Sequence, residues 1–393
     1  MKQFDSNTLP PYSFQQEAVD SILKAFDEND KTHAVMACGT GKTRVCLWVA
    51  ERLNAKRIVV FVPSLALINQ LLHEWLEVTH WTDVSCMAIC SDETVTKDVD
   101  IFVADPKECP FPVTTNPKEV RRYLKKKSSG VQIVFCTYHS SGVLAAGMMH
   151  CPPFDLCIFD EAHKTAGSSE RAFSIALSDE NVPSKKKLFV TATPLHYDVY
   201  HHDKIGENKL IYSMDSKKFY GPRAYTLTFR QAVNLGIISD YKVMIPIIVR
   251  SKLKNYPKIS GEEMNEQAIA LQKAIKNHEI SKIITFHQSI SDAGKFSHYL
   301  TYTNQLPGFT CLHVNSMMAV SHRTEEMQRF KTKKKALISN ARCLTEGTNV
   351  PAVDMVAFLN RKHSKIDIIQ SIGRAMRKHP GKIFGYVFFA FVC

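Results

Sequence analysis

The sequence lacks the features that mark several specialised classes of protein. No apolar segment among its 393 residues approaches membrane-spanning length, and the amino terminus shows no basic region followed by an apolar stretch. Neither a membrane protein nor a secreted protein is therefore expected, and we predict a soluble intracellular protein of the cytoplasm or of the nucleoid or nucleus. No short repeat or low-complexity segment is visible either.

The eleven cysteines do not form a disulfide or metal-binding pattern. None of them belongs to a Cys-x-x-Cys pair, and they are scattered through predicted strands and helices, which favours reduced thiols. Cys86 and Cys90 are four residues apart on a predicted strand, which separates them by roughly 13 Å, too far for one zinc ion. A zinc site is not expected.

Positive charge is in excess. The chain carries 50 lysines and arginines against 38 aspartates and glutamates, a formal net charge of +12 at pH 7. Such a surplus attracts polyanions, of which nucleic acid is the commonest soluble one. The basic runs at 121–127, 185–187 and 331–335 stand beside turns or strand starts, where a merely solvated surface is the other interpretation.

Strand and helix patterns alternate over both halves of the chain. Short apolar runs predict strands, and helical patterns such as 64–78 separate them, which indicates parallel sheets with crossover helices. The predicted strands are 33–38, 57–62, 84–90, 131–136, 155–159 and 187–192, then 241–249, 282–286, 309–314, 335–339, 353–359 and 383–392. Between the two sets lies a polar stretch with one helical pattern at 229–235. We therefore predict an α/β fold with two domains, 1–200 and 241–393, joined by a linker at 201–240.

A phosphate-loop string follows the first predicted strand. Residues 36–43 read Met-Ala-Cys-Gly-Thr-Gly-Lys-Thr and open a helical pattern, so backbone amides can hold phosphates while Lys42 supplies positive charge. Met36 replaces the small residue that is usual at the first position. The predicted phosphate-binding residues are Gly39, Thr40, Gly41, Lys42 and Thr43.

Two adjacent carboxylates end a later apolar run. Residues 156–163 read Leu-Cys-Ile-Phe-Asp-Glu-Ala-His, the pattern of a buried parallel strand that delivers Asp160 and Glu161 to the ligand-binding edge of a sheet. Magnesium prefers hard oxygen ligands, so we expect Thr43 and Asp160 to hold Mg²⁺. Glu161 is then available to orient and deprotonate the attacking water. A helix-capping pair is the other interpretation, but together with the phosphate loop the two carboxylates predict hydrolysis of ATP.

Hydrolysis develops negative charge on the γ-phosphate, which a positive side chain must offset. The candidates lie in the second half of the chain. Gln370, Arg374 and Arg377 follow a helical pattern at spacings of four and seven residues, which predicts one shared helix face. An arginine supplied across a cleft in this way is worth roughly 10³ to 10⁵ in rate in related NTPases. That factor corresponds to about 4 to 7 kcal/mol. A basic surface helix is the alternative.

In their order, these and further motifs resemble those of the superfamily 2 helicases and translocases of the DEAH-box kind. The resemblance covers nearly the whole chain, through Phe14–Gln15 (Q motif), 36–43 (I), Val62–Leu67 (Ia), Thr137–Ser140, Asp160–His163 (II), Thr191–Thr193 (III), Ile284–His287 (IV), Thr345–Pro351 (V) and Gln370–Arg377 (VI). It implies two tandem RecA-like domains with parallel sheets and an ATP cleft between them. The strings Ser239–Val243 and Asn340–Gly347 are also similar to the motor of restriction-type helicases, including ATP-dependent single-chain restriction-modification enzymes.

The resemblance implies roles beyond the ATP chemistry. Gln15 and Gly347 would contact the nucleotide, with Gln15 reading the adenine. The residues implied to couple nucleotide state to domain movement are His163, Thr191 and Thr193. The residues expected to contact the nucleic-acid backbone, without reading base identity, are Ser64, Thr137, Asn340 and Thr345. Asn349 stands where the family usually has an aspartate in motif V.

The leading interpretation is an ATP-driven DNA translocase or helicase, with RNA open as a substrate. A nucleic-acid-stimulated ATPase that senses duplex without unwinding it would carry the same motifs. A small-molecule P-loop kinase or transporter ATPase would share the phosphate loop, but neither predicts motif VI or a second, similar half. We expect a stand-alone or truncated motor core, so that any nuclease or methyltransferase activity would belong to a partner.

Overall fold

The chain is built from two units. The computed structural model describes residues 10–76, 78–90, 112–168, 172–195, 211–246, 262–341, 343–344, 353–360, 365–379 and 381–390. Contacts between residues divide the chain into a first unit that ends at Gln231 and a second that begins at Ala232. Each unit contains one large parallel β-sheet, so the predicted α/β class with two parallel-sheet domains is confirmed.

The first unit is organised around a sheet of eight described strands, all of whose neighbours are parallel. The strands of this unit are β1 (Lys31–Met36), β2 (Arg57–Val62), β3 (Val84–Ile89), β4 (Val113–Thr114), β5 (Val131–Thr137), β6 (Phe154–Asp160), β7 (Gly167–Ser168), β8 (Ser184–Thr191), β9 (Ile211–Tyr212) and β10 (Arg223–Leu227). The large sheet has the order β10-β1-β8-β6-β2-β5-β3-β4, and β7 pairs with β9 in a separate antiparallel ribbon.

Helices precede, connect and follow these strands. They are α1 (Ser13–Glu28), α2 (Lys42–Arg52), α3 (Leu65–Leu76), α4 (Pro117–Lys125), α5 (Ser141–Met148), α6 (Lys217–Tyr220) and α7 (Phe229–Asn234). The last of them, α7, crosses from the first unit into the second. Local sequence explains where α4 begins. Pro117 suits a first helical turn because it lacks an amide hydrogen, and the side chain of Asn116 accepts a hydrogen bond from the Lys118 amide at 2.9 Å.

The central strands are apolar along their whole length because both faces of the sheet are covered. Every residue of β5 is buried, as are five of the six residues of β2. This is the continuous apolar pattern by which buried parallel strands were predicted. On one face, the ring of Phe159 stacks between Phe61 and Phe189 with centroid distances of 4.9 and 4.5 Å, inside the main core of the unit.

Strand β10 was not predicted from the sequence. It lies in the stretch 201–240 and pairs in parallel with β1 at the edge of the sheet. Only Leu227 of its five residues is buried, so the strand lacks the apolar run that identifies the others. Gly221, just before it, has a φ of 69°, and a Cβ there would overlap the carbonyl group of Lys31. Glycine is therefore required where the chain passes β1.

The second unit contains a six-stranded sheet, again with parallel neighbours throughout its described part. Its strands are β11 (Asp240–Met244), β12 (Lys282–Phe286), β13 (Thr310–His313), β14 (Ala336–Asn340), β15 (Met355–Phe358) and β16 (Phe384–Phe389), in the order β11-β16-β15-β12-β14-β13. Its helices are α8 (Glu262–Asn277), α9 (Ile290–Thr303), α10 (Val320–Thr332) and α11 (Lys365–Ala375). No helix among the described residues combines the length and apolarity that a membrane crossing needs.

Each large sheet uses an aspartate in the same way at its amino-terminal edge. Asp155, near the start of β6, accepts hydrogen bonds from the amides of residues 56 and 57, both at 2.9 Å. Asp354, just before β15, accepts from the amides of residues 281 and 282 at 2.8 and 2.9 Å. In both units the carboxylate ties one central strand to the first amides of its neighbour, which fixes the register of the pair at that edge.

Candidate nucleotide site

Three neighbouring strands of the first sheet deliver the predicted ATP motifs to one edge. Strand β8 lies between β1 and β6, with Val35 opposite Thr191 and Val190 opposite Asp160. The phosphate loop follows β1, Thr191 ends β8 and Asp160 ends β6. Because parallel strands end at the same edge, the fold brings the loop, the carboxylates and the Thr191–Thr193 segment side by side.

The phosphate loop turns tightly between β1 and α2. Gly39 and Gly41 have φ values of 80° and 82°, in the left-handed region that favours glycine. The Thr40 hydroxyl donates to the carbonyl of Ala37 at 2.7 Å and closes the turn. Gly41 immediately precedes α2, so the loop leads directly into the unpaired amides of a helix amino terminus, which is a phosphate-binding arrangement.

Gln15 on α1 is bound to this loop. Its Nε2 donates to the carbonyl of Thr40 at 3.1 Å, and its Oε1 accepts from the amide of Tyr12 at 3.0 Å. A Cβ at Gly41 would overlap this Nε2, so Gly41 is required by its neighbour as well as by its backbone angle. The buried Gln15 therefore contacts the phosphate loop, while its contact with the nucleotide and its reading of adenine stay predictions.

Lys42, Asp160 and Glu161 form the charged centre of the site. Burial lowers the pKa of Lys42, but the negative fields of Cys38, Glu161 and Asp160 outweigh it, so the pKa is raised and the ammonium stays charged. Burial, followed by the charge of Glu161, raises the pKa of Asp160 to about 7, against the opposing effect of Lys42. A cation placed beside these carboxylates would favour the ionised form of Asp160.

The donors at this edge fit a magnesium ion that is also bound by phosphates. Asp160 is a buried oxygen ligand whose charge lacks full compensation, and Thr43 lies in the first turn of α2 at the same edge. Within the described part of the chain, no group of three or more His, Cys, Asp or Glu side chains could hold a metal ion. Thr43 and Asp160 are the two protein ligands predicted here, and in sites of this kind phosphates and water supply the rest.

Glu161 occupies an unusual backbone conformation beside His163. Its φ of 51° is left-handed, which costs a residue other than glycine on the order of 1–3 kcal/mol and persists where the surroundings impose it. Its amide donates to Asp160 Oδ1 at 3.0 Å, and its Oε2 lies 3.5 Å from His163 Nδ1. His163 Nδ1 is also 3.0 Å from Thr191 Oγ1 and 3.4 Å from Thr193 Oγ1. The three predicted coupling residues therefore contact one another.

The predicted nucleic-acid residues of the first unit are mostly buried. Thr137 is fully buried, and its hydroxyl donates to Ser140 at 3.1 Å. Ser64 is 7% exposed, and its Oγ has no hydrogen-bond partner among the described residues. The hydroxyl of Thr137 is therefore used within its own segment, for the hydrogen bond to Ser140. The hydroxyl of Ser64 can form a hydrogen bond with a bound ligand.

In the second unit, Asn340 ends β14 and is fully buried. Its Nδ2 donates to the carbonyl of Thr285 at 3.1 Å, and its Oδ1 accepts from the Leu344 amide at 3.2 Å. Its side chain thus fixes the amide of Leu344, the residue that precedes motif V. Thr345 and Gly347, predicted to contact nucleic acid and nucleotide, lie outside the described residues, as does Asn349.

Gln370 and Arg374 lie on α11 as predicted, but Arg377 does not. Helix α11 ends at Ala375, so the prediction that all three share one helix face was wrong for Arg377. The Lys382 ammonium donates to the carbonyls of Ala375 and, at 3.1 Å, of Arg377, and so caps the helix end. Gln370 and Arg374 are each 7% exposed, and Oε1 of Gln370 lacks a hydrogen-bond partner within the described residues.

Family comparisons match the two units in order. The family described as the Type III restriction enzyme, res subunit, matches residues 8–196, and the helicase conserved C-terminal domain matches residues 266–379. The two matches, in this order, support a motor core of the restriction-type helicases of superfamily 2. The two matched segments contain the ATP motifs of the first unit and α11 of the second.

Individual proteins agree with this family. "Probable helicase A859L" of African swine fever virus (isolate Tick/South Africa/Pretoriuskop Pr4/1996) is 27% identical over 383 residues, which are 95% of this chain and 40% of that protein. The structure of the ATP-dependent Type ISP restriction-modification enzyme LlaBIII bound to DNA has 27% identity and a TM-score of 0.78, over 98% of this chain and 28% of that chain. The structure of a nuclease-deletion mutant of the Type ISP restriction-modification enzyme LlaGI in complex with a DNA substrate mimic has 27% identity and a TM-score of 0.69, over 97% of this chain and 27% of that chain. The chain spans less than half the length of these relatives.

Two aromatic residues of this helicase core contact ATP motifs and were not selected from the sequence. Trp75, near the end of α3, donates from its indole nitrogen to the carbonyl of Thr43 at 2.9 Å. Tyr138 donates from its hydroxyl to the carbonyl of Asp160 at 2.7 Å. Tyr138 lies inside the recognised motif 137–140, which was a usable signal. Trp75 lies beyond the recognised part of motif Ia, and only the packing of α3 reveals its contact.

Proposed function

We propose that this chain is the motor core of an ATP-dependent helicase or translocase that moves along DNA, with RNA as the less favoured track. The observation that carries the proposal is the shared edge of β1, β8 and β6, where the phosphate loop, Asp160–Glu161 and the His163–Thr191 contact lie together. The helicase C-terminal match to the second unit supports the motor over a simple ATPase. The DNA-bound LlaBIII relative and the net charge of +12 favour DNA.

In this proposal, the first unit binds ATP and prepares the attacking water. Lys42 neutralises phosphate charge while the loop amides hold the phosphates. Thr43 and Asp160 would hold Mg²⁺, which when bound neutralises further phosphate charge. Glu161 accepts a proton from the water that attacks the γ-phosphate in line. The remaining nucleotide contacts are assigned to Gln15, Gly39, Thr40, Gly41 and Gly347.

The second unit would supply positive charge for the reaction, and three residues of the first unit would couple the reaction to domain movement. Gln370, Arg374 and Arg377 would approach the γ-phosphate and offset its developing charge, as an arginine finger does. His163, Thr191 and Thr193 would convert the state of the nucleotide into domain movement, because they join the Glu161 turn to the end of β8. Turnover then depends on both units.

Contacts with the track would be made mainly to its backbone, from the segments that carry Ser64, Thr137, Asn340 and Thr345. Because Thr137 and Asn340 are buried, loop amides rather than their side chains would supply much of the contact, which suits sequence-independent binding. We further propose that the motor works in the cytoplasm, nucleoid or nucleus, beside a nuclease or methyltransferase as in the restriction-modification enzymes that it resembles.

ATPase measurements with single-stranded DNA, duplex DNA and RNA test this proposal. We expect turnover to rise with polynucleotide, most with DNA, and the stimulation to weaken as salt rises because bound phosphates release counterions. Lys42→Ala should nearly abolish turnover, whereas Lys24→Ala, on an exposed position of α1, should not. Equal activity with and without polynucleotide would contradict the motor. Strand-displacement and translocation assays then distinguish unwinding from movement on intact duplex.

A further inference from the structure

A continuous row of five aromatic rings crosses one face of the first sheet. In order, the rings of Tyr138, Phe61, Phe159, Phe189 and Tyr220 have successive centroid distances of 5.9, 4.9, 4.5 and 5.0 Å. All five side chains are fully buried. The three phenylalanines come from β2, β6 and β8. Strand β6 carries Asp160, and β2 and β8 lie on either side of it. The row therefore joins these three strands to two tyrosines outside the central strands.

Both terminal tyrosines bind the segment that follows β6. Tyr138 donates to the carbonyl of Asp160 at 2.7 Å. Tyr220 Oη lies 3.0 Å from Thr165 Oγ1, and the Thr165 hydroxyl donates to the carbonyl of Ala162 at 2.7 Å. Because a threonine hydroxyl has one hydrogen, which is used for Ala162, Tyr220 must be the donor to Thr165. Two phenolic hydroxyls therefore hold the segment 160–165 near both of its ends.

Glu161, with its left-handed backbone, lies between these two anchors. Such a conformation persists only where surrounding contacts impose it. The anchors act immediately before Glu161, on the carbonyl of Asp160, and after it, on Thr165. A turn held on one side alone could relax and move the carboxylate away from the phosphate loop.

We propose that Tyr138 and Tyr220 are positioning residues that together hold the 160–165 turn and keep the Glu161 carboxylate in place for water activation. This inference rests on the proposed function, because it assigns the residues that position the proposed base.

Tyrosine-to-phenylalanine variants test the proposal because they keep each ring in the aromatic row and remove only the hydroxyl. Tyr123→Phe is a matched control, since the hydroxyl of Tyr123 donates to the carbonyl of Ser85 at 2.7 Å, on β3. We expect Tyr138→Phe and Tyr220→Phe each to lower kcat for ATP about tenfold, which is about 1.4 kcal/mol of transition-state stabilisation. The KM for ATP and the Kd for DNA should stay within about twofold, because the two hydroxyls act on the 160–165 turn, through the carbonyl of Asp160 and Oγ1 of Thr165. Tyr123→Phe should leave kcat unchanged.

Two further variants separate positioning from a general loss of stability. Thr165→Val keeps Tyr220 intact but removes its acceptor and also the hydrogen bond to the Ala162 carbonyl, so it should lower kcat at least as much as Tyr220→Phe does. In the Tyr138→Phe/Tyr220→Phe double variant, the loss should be smaller than the product of the single losses, because both hydroxyls hold one turn. Melting temperatures should fall by similar amounts in Tyr138→Phe and Tyr123→Phe, since both lose a hydrogen bond to a backbone carbonyl.

Unchanged kcat in both single variants, or a kcat loss that Tyr123→Phe shares, overturns the inference. Multiplicative losses in the double variant would equally contradict a shared turn. Failure of the proposed function is recognised separately, because it would be seen in the unmodified protein as a lack of stimulation by DNA or RNA, whereas positioning is read from kcat under any condition.

Discussion

At the scale of single residues, Glu161 combines a costly backbone with an available carboxylate oxygen. Its φ is 51°, yet Oε2 finds no hydrogen-bond partner in the described part of the chain and is 3.5 Å from His163 Nδ1. A buried acceptor without a partner is costly and is retained where something else binds it. The oxygen is therefore in a suitable state to accept a hydrogen bond from a water molecule.

Glu161→Gln should lower kcat by about 10²- to 10⁴-fold, because the amide has the shape of the carboxylate but cannot take a proton. ATP binding should change little, since Lys42 and the phosphate loop are untouched. The measurements are steady-state ATPase and separate nucleotide titration. Glu180→Gln, at an exposed position, should behave as the unmodified protein. Near-normal turnover in Glu161→Gln would rule out the role as base.

Gly41→Ala should weaken ATP binding by at least about tenfold. Alanine there must adopt a left-handed backbone, which costs about 1–3 kcal/mol, and its Cβ would overlap Gln15 Nε2. Gly308→Ala is the matched control: Gly308 has the same φ of 82°, but a Cβ there would meet nothing within 4 Å. Both variants should lose stability in urea, whereas only Gly41→Ala should lose ATP affinity. A similar effect on ATP binding in the two variants would contradict the Gln15 contact.

At the scale of elements, apolar runs predicted the central strands of both sheets, because a strand buried on two faces has a distinctive composition. The same reasoning missed β10, whose residues are half-exposed at the sheet edge. It also extended α11 to Arg377, because helical spacing does not reveal that Lys382 caps the helix after Ala375. The phosphate-loop and carboxylate residues were predicted because their motifs are local. Tyr220 was not, because its contact with Thr165 joins positions 55 residues apart.

Asp155→Ala should lower the free energy of unfolding by about 1–2 kcal/mol, because the amides of residues 56 and 57 lose their acceptor. Burial raises the pKa of Asp155, but hydrogen bonds from Lys185 and from these two amides outweigh it, so the pKa is lowered. The stabilisation is thus present above the ordinary carboxyl pKa of about 4 and is lost as pH falls through the lower folded value.

Urea denaturation at pH 7 and at pH 3 measures this effect. The difference between Asp155→Ala and the unmodified protein should shrink at the lower pH. Asp20→Ala, which removes an exposed ion pair with Arg52 at 3.5 Å, should change stability by less than about 0.5 kcal/mol at either pH. A pH-independent difference would show that the carboxylate charge does not contribute.

At the scale of the whole molecule, the proposed ATPase requires residues from both units. The first unit contains the phosphate loop and the two carboxylates, and the second contains α11 with Gln370 and Arg374. In the proposed mechanism, Gln370 and Arg374 would act on a nucleotide that the first unit binds, which would link turnover to domain movement.

Arg374→Ala should lower kcat by roughly 10³- to 10⁵-fold, the range for loss of an arginine finger. ATP affinity, which depends on the first unit, should be nearly unchanged. Lys378→Ala, an exposed cation four residues later, should retain turnover. Circular dichroism and melting should accompany the ATPase assay, because Arg374 is only 7% exposed. Full activity in a folded Arg374→Ala protein would show that Arg374 of α11 does not contribute to catalysis.

The paired aspartates Asp155 and Asp354 have a mechanical consequence. Each clamps two central strands at the amino-terminal edge of its sheet, which in the first unit is the edge opposite the phosphate loop and Asp160. Because the carboxylate holds the first amides of the neighbouring strand, we expect it to resist shear between the two strands at that edge. We therefore expect each sheet to move as one body in the proposed motor, so substitutions meant to change its step length or force should leave these two carboxylates untouched.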